Sequence, residues 1–238
     1  MSINETKWKK YRIELSTVEK RKCYDKNYKM NSKSKTEKFW DRLADKFDKR
    51  AEKFAPLPIE ETKKYLKTSN IVLDFGCATG AVVIEIADCV KEAVGIDISS
   101  KMIDIAQRKA SELNIENIAF RQATLFDKEL ENEIFDVIIA FNIIHFFKDI
   151  QELMQRMYKL LKPNGLVIIK TVCHGKITFS NILQKLLLSP IVWIKLIPYI
   201  KFTKIPDLKE ALCKQGFEII TVENLKNTDY FIVAKKKN

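Results

Sequence analysis

The chain is poor in the residues that break up or staple a fold. Glycine and proline number six each among 238 residues, which excludes collagen-like and low-complexity classes. The five cysteines (Cys23, Cys77, Cys89, Cys173, Cys213) are odd in number and form no C-x-x-C pair. They read as reduced thiols, not as a disulfide frame or a zinc site. No His/Asp/Glu group has metal-ligand spacing, so no metal is expected. Long apolar runs are also missing. The most apolar stretch, residues 177–200, carries Lys185 and Lys195 and is cut by Pro190 and Pro198. It falls short of the ~18–20 uncharged residues of a membrane span. Residues 1–30 are polar and basic and lack the apolar centre of a signal peptide. The expectation is a cytoplasmic protein with no transmembrane segment.

What is present supports a packed core: 46% apolar and 31% charged residues. The length suits one α/β domain of ~200–250 residues. The net charge of +11 is unevenly spread. Residues 1–70 hold 20 Lys+Arg against 11 Asp+Glu, and the rest hold 22 against 20. Residues 1–35 therefore read as a basic, loosely ordered arm, and 36–238 as the folded domain. Such an arm can meet RNA or anionic lipid heads, or simply be a solvated extension.

Within the domain, Phe39, Trp40, Leu43, Ala44, Phe47 and Phe54 follow helical spacing up to the stop at residues 55–58. A second short helix is expected over 59–66. Apolar runs and amphipathic helices then alternate. Strands are expected at 71–74, 93–96, 118–121, 135–141 and 166–171. Helices are expected at 81–90, 100–113 and 149–161. Strict alternation implies a parallel sheet with right-handed crossovers. The tail departs from this pattern, with a helix over 207–214 and then strands at 217–222 and 230–234. Seven residues are too few for a helical crossover, so the last two strands should pair antiparallel.

The chemistry-bearing residues gather at strand ends. The first strand runs into DFGCATG, residues 74–80. Glycines there allow a sharp turn and close backbone approach to a ligand. The spacing is G-x-A-x-G, not the G-x-G-x-x-G of a dinucleotide-binding loop. The nearby Asp74 suits a cationic or hydroxyl-bearing ligand better than a phosphate. Asp97, at the end of the second strand, can accept from ribose hydroxyls or cap the following helix. Thr124 and Asn142 fall at the ends of the third and fourth strands.

Four segments in order, VLDFGCATG (72–80), VGIDIS with KMIDIAQ (94–107), FDVIIAFNIIHFFKD (135–149) and LLKPNGLVIIKT (160–171), make the domain resemble class I S-adenosylmethionine-dependent methyltransferases. The resemblance implies a Rossmann-like α/β sheet of seven strands. Five are parallel, two form a C-terminal antiparallel hairpin, and helices cover both faces. It further implies that Asp74, Gly76, Cys77, Ala78 and Gly80 wrap the methionine end of S-adenosyl-L-methionine and that Asp97 holds the ribose. Ile98 and Met102 would pack on the adenine. Thr124, with Leu125 beside it, stands where the family often has an acidic residue facing the adenine amine. Asn142 would line the sulfonium side. Residues 36–69 resemble a lid over the site, or are ordinary helices packed on the sheet. His145 and His174 are the candidate general bases, or structural histidines. Residues 173–203 form an insertion. Its apolar part, 177–201, would roof an acceptor pocket, touch a membrane surface, or pack as core helices.

The leading expectation is methyl transfer to a small-molecule or lipid-like acceptor. The basic arm keeps an RNA or protein methyltransferase as an alternative. Against it, no Pro-Pro dipeptide follows the fourth strand, no Pro-Cys marks C5 chemistry, and no RNA-binding module is visible. A non-catalytic cofactor-binding protein is the remaining alternative. A nicotinamide-dependent dehydrogenase is disfavoured by the loop spacing.

Overall fold

The structure is a computed structural model. It describes residues 34–48, 58–127, 130, 134–173, 203–226 and 228–237. The 177–201 segment, His174 and nearly all of the basic arm lie outside these residues.

Seven strands form one sheet: β1 (Ile71–Phe75), β2 (Glu92–Asp97), β3 (Ile118–Gln122), β4 (Phe135–Phe141), β5 (Leu161–Val172), β6 (Phe217–Lys226) and β7 (Asp229–Lys236). Their order across the sheet is β3-β2-β1-β4-β5-β7-β6. β1 to β5 run parallel, and β7 lies antiparallel between β5 and β6. The chain steps outward from β1 to β3, then returns to place β4 on the other side of β1. That reversal opens a crevice beyond the carboxyl ends of β1 and β4, where open α/β sheets hold their ligands.

The helices are α1 (Lys35–Leu43), α2 (Ile59–Lys63), α3 (Ala81–Glu85), α4 (Ser100–Glu112), α5 (Ile150–Leu160) and α6 (Ile205–Lys214). Side-chain caps set three of their starts. Ser34 accepts from the Glu37 amide, Ser99 from Met102, and Asp149 from Glu152. Along β4, Phe135, Ile138 and Ala140 enter the core under α5 and α6, while Val137, Ile139 and Phe141 enter the core under α3 and α4. A strand buried on both faces is apolar at successive positions, as 137–141 are, which is why that stretch shows no alternation.

Several boundaries differ from the sequence reading. The first helix ends at Leu43 and continues as a 3₁₀ turn over Ala44–Lys46. The helix expected over 81–90 stops at Glu85 and gives way to a 3₁₀ turn over Ala87–Cys89. The terminal hairpin is longer and tighter than expected, with Lys226 paired to Asp229. Its outer end alternates weakly in polarity, so backbone pairing, not side-chain pattern, extends it. Among the described residues no helix is long and apolar enough to cross a membrane.

Candidate active site

The turn after β1 is pinned from β2. The Gly76 and Cys77 amides both donate to the Ile96 carbonyl (2.9 and 3.0 Å), and the Gly80 amide donates to the Cys77 carbonyl (2.9 Å). Gly76 has φ +77°, and a Cβ there would stand 2.9 Å from Ile143 Cγ1, in the segment that follows β4. Gly80 has φ +82° and caps α3, and a Cβ would stand 2.6 Å from the Phe120 ring. Both positions therefore need glycine twice over, for conformation and for space. Ala78, between them, also has a positive φ, +47°. An L-residue carries a penalty of about 1–2 kcal/mol in that region, so the missing glycine strains the turn.

The crevice is acidic. Asp74 is 2% exposed, and its Oδ2 has no hydrogen-bond partner among the described residues. Burial, then the nearby Asp97 charge, pushes its carboxyl up to about 8. Asp97, at the end of β2, accepts from the Ala78 amide at Oδ2 (3.1 Å) and from the Ser99 amide at Oδ1 (2.8 Å). Burial raises it to about 6, opposed by backbone amides of Ser99, Ala78 and Ile98 and assisted by the charge of Asp41. The Cys77 thiol is buried and pushed well above its ordinary value, so it stays protonated.

Helix α1 and the residues after it lie over this edge. Asp41 is buried and accepts from Ser99 Oγ (2.6 Å) and from the Lys101 amide (3.3 Å). Gln122 Nε2 donates to Glu37 Oε1 (3.0 Å) and to the Ile98 carbonyl (2.9 Å). Asp48 takes the Thr79 hydroxyl and pairs with Lys109 Nζ (2.5 Å). Across the crevice mouth, Trp40 meets Phe146 edge-on at 5.3 Å between ring centroids, with Phe39 and Phe47 beside it. The His145 ring lies 4.2 Å from that of Phe146.

The structure gathers Asp74, Gly76, Cys77, Ala78, Gly80, Asp97 and Asn142 around the ends of β1, β2 and β4. Ile98 is half-buried, and Met102 is fully buried at the start of α4. Thr124 is half-buried and shares Asp127 through its amide and its hydroxyl (both 3.4 Å). The turn thus brings a carboxylate, Asp127, against Thr124. Leu125 is fully buried in the core and offers no side-chain surface to the crevice. Asp41, Asp48, Asp127 and Lys170 were not singled out by the sequence, because each works through a partner distant in the chain or hidden in a turn.

The arrangement suits a cationic nucleoside. Asp74 Oδ2 has no partner among the described residues, Asp97 retains lone pairs beyond the two taken by the backbone, and two acidic side chains offer a pyrophosphate no positive partner. S-adenosylmethionine, with its ammonium, sulfonium and ribose hydroxyls, fits these groups.

This sheet order, with an acidic glycine turn at the point of reversal, defines a Rossmann-like class I methyltransferase. Residues 66–228 match the family model described as "Methyltransferase domain", and the chain belongs to that S-adenosylmethionine-dependent family. An uncharacterised methyltransferase of Schizosaccharomyces pombe is 32% identical over 122 residues, 48% of this chain and 43% of that protein. The ubiquinone biosynthesis O-methyltransferase of Rickettsia akari is 28% identical over 159 residues, 65% of this chain and 61% of that protein. In both cases the match covers less than two thirds of the relative's own length. The crystal structure of YcgJ from Bacillus subtilis superposes with a TM-score of 0.63 over 76% of this chain and 98% of that one. At 16% identity, that likeness concerns the fold.

Proposed function

We propose that this protein moves the methyl group of S-adenosylmethionine to a small-molecule or lipid-like acceptor. The observation that carries the reading is the pairing of an acidic crevice, with Asp74 Oδ2 lacking a donor, and an aromatic wall from Trp40 and Phe146. The first matches a cationic donor, and the second matches an apolar acceptor. The name of the Rickettsia akari relative, an O-methyltransferase of ubiquinone biosynthesis, supports an acceptor of that kind.

In this reading Asp74 and the turn from Gly76 to Gly80 hold the methionine end. Asp97 takes the ribose hydroxyls, and Ile98 and the Thr124–Asp127 pair border the adenine. The donor supplies a methyl already activated by its sulfonium. The chain's own residues align the partners, exclude water and accept the acceptor's proton. We assign that last role to His145, whose ring lies beside that of Phe146. Gly76 turns the backbone, and the Trp40–Phe146 contact closes the mouth against solvent.

Purified protein, methyl-labelled cofactor and fractionated cell extract test the proposal. Label should enter the lipid or small-molecule fraction. Label confined to RNA or protein would give the function to the basic N-terminal segment instead, and binding without transfer would mark a non-catalytic member of the fold.

A further inference from the structure

A charged residue stands where the sheet has no structural need of one. Lys170, near the carboxyl end of β5, is 1% exposed. Its Nζ lies 3.0 Å from Asp229 Oδ2, at the start of β7, and donates to Asn142 Oδ1 at 3.1 Å. Burying an ion pair brings little or no net stability over apolar residues of similar size. The neighbours Ile168 and Ile169 show that this strand accepts such residues. The position therefore calls for an explanation beyond the fold.

Asn142 supplies it. The residue follows β4 directly, with φ +54°, a conformation asparagine tolerates better than most residues. Its amide N–H donates to the Lys170 carbonyl (2.7 Å), so Lys170 holds both its backbone and its side chain. An ammonium can only donate, and therefore the Asn142 side chain must turn its oxygen toward Lys170. Its NH2 then faces away. Asn142 is half-buried, and no described residue accepts from its Nδ2. The next residue, Ile143, packs against Gly76, which places this donor at the point where the sheet order reverses. Two residues before Gly76, at the end of β1, stands Asp74, whose Oδ2 has no hydrogen-bond partner among the described residues. A fixed donor and a fixed acceptor flanking one glycine turn complement a zwitterionic α-amino-acid group.

We propose that Lys170 is a positioning residue of the methyl-donor site: neutralised by Asp229, it orients the Asn142 amide so that the NH2 donates to the carboxylate at the donor's amino-acid end. The inference rests on the methyl-donor reading above. It also ties the terminal hairpin, through Asp229, to donor binding.

Calorimetric titration with two probes tests it: S-adenosylmethionine, and 5′-methylthioadenosine, which keeps the nucleoside but lacks the amino-acid group. Lys170→Met should weaken S-adenosylmethionine about tenfold, the effect of losing one hydrogen bond to a charged group, and leave methylthioadenosine within about twofold of wild type. Asn142→Asp, which sets a carboxylate against the ligand's carboxylate, should give the same selective loss. Asp229→Asn should give a smaller one. Lys170→Arg, which keeps the charge, should restore part of the affinity. Should Lys170→Met fail to fold, Asn142→Asp and Asp229→Asn carry the test. Equal weakening of both probes, or no change in either, would overturn the inference and leave Lys170 a structural residue. Wild-type protein that binds methylthioadenosine but not S-adenosylmethionine would also overturn it. A folded wild type that binds neither would overturn the methyl-donor reading itself, and this inference with it.

Discussion

Two carboxylates and one alanine govern the site at the scale of single residues. Ala78 occupies a left-handed position between two glycines that also have positive φ. Ala78→Gly relieves that strain, partly offset by the greater freedom of glycine in the unfolded chain. A net gain of about 0.5–1 kcal/mol is expected, read as a higher midpoint in denaturant. Asp74 and Asp97 give a pH signature. Both have native values, about 8 and about 6, raised above the ~3.9 of an unfolded aspartate. Between the unfolded and native values the native state holds the proton and the unfolded chain does not. Their contribution to stability is thus greatest below pH ~4 and falls as pH rises through 6 and then 8. A cationic donor favours the ionised forms, so its affinity should rise over the same window. Asp74→Asn should flatten the upper part of both trends. Melting scans from pH 5 to 8.5, with and without S-adenosylmethionine, check this, and a wild-type affinity that falls with pH would contradict it.

Two elements stand out. Helix α1 is held over the end of β2 by Asp41, which reaches across to Ser99 and Lys101. Asp41→Ala should speed amide exchange in α1 without a comparable loss in the sheet, because only the helix loses its anchor. Uniform acceleration throughout the molecule would mean that α1 is part of the core. The apolar segment 177–201 leaves the carboxyl end of β5 after Cys173 and rejoins at Thr203 before α6, both of them buried. If it selects the acceptor, Trp193→Ser with Leu196→Ser should reduce turnover while S-adenosylmethionine affinity stays within about twofold of wild type. Equal losses in both would assign it to the core.

For the whole molecule, the sheet outline was legible because buried parallel strands must be continuously apolar and a short link between strands forces antiparallel pairing. That the Asp74–Gly80 turn and Asp97 would meet at neighbouring strand ends was legible from the strand pattern. The clamp of Asp41 on Ser99 was not, nor was that of Lys170 on Asn142 and Asp229. Each joins residues dozens of positions apart, and sequence spacing encodes only local geometry. The contact between Thr124 and Asp127 was hidden in a turn, and the full length of the terminal hairpin lay in residues with little polarity pattern. Residues 1–33 carry much of the excess positive charge but lack the apolar periodicity needed to bury a face. Their removal should leave the melting temperature of the domain within a few degrees of that of the full chain, as calorimetry would show, whereas a large drop would mean that they pack on it.

The most direct test is one calorimetric titration, comparing wild type with Asp97→Ala against S-adenosylmethionine. The substitution removes the acceptor proposed for the ribose hydroxyls, worth about 1.5–3 kcal/mol for each bond to a charged group. It also frees the Ala78 and Ser99 amides that shape the turn. Asp97→Asn is no gentler than a partial loss, since both carboxylate oxygens already accept from backbone amides and an NH2 must face one of them. Wild type should bind, and Asp97→Ala should bind at least about tenfold more weakly with its fold intact. Equal affinity of the two proteins would contradict the assignment of this crevice to the methyl donor.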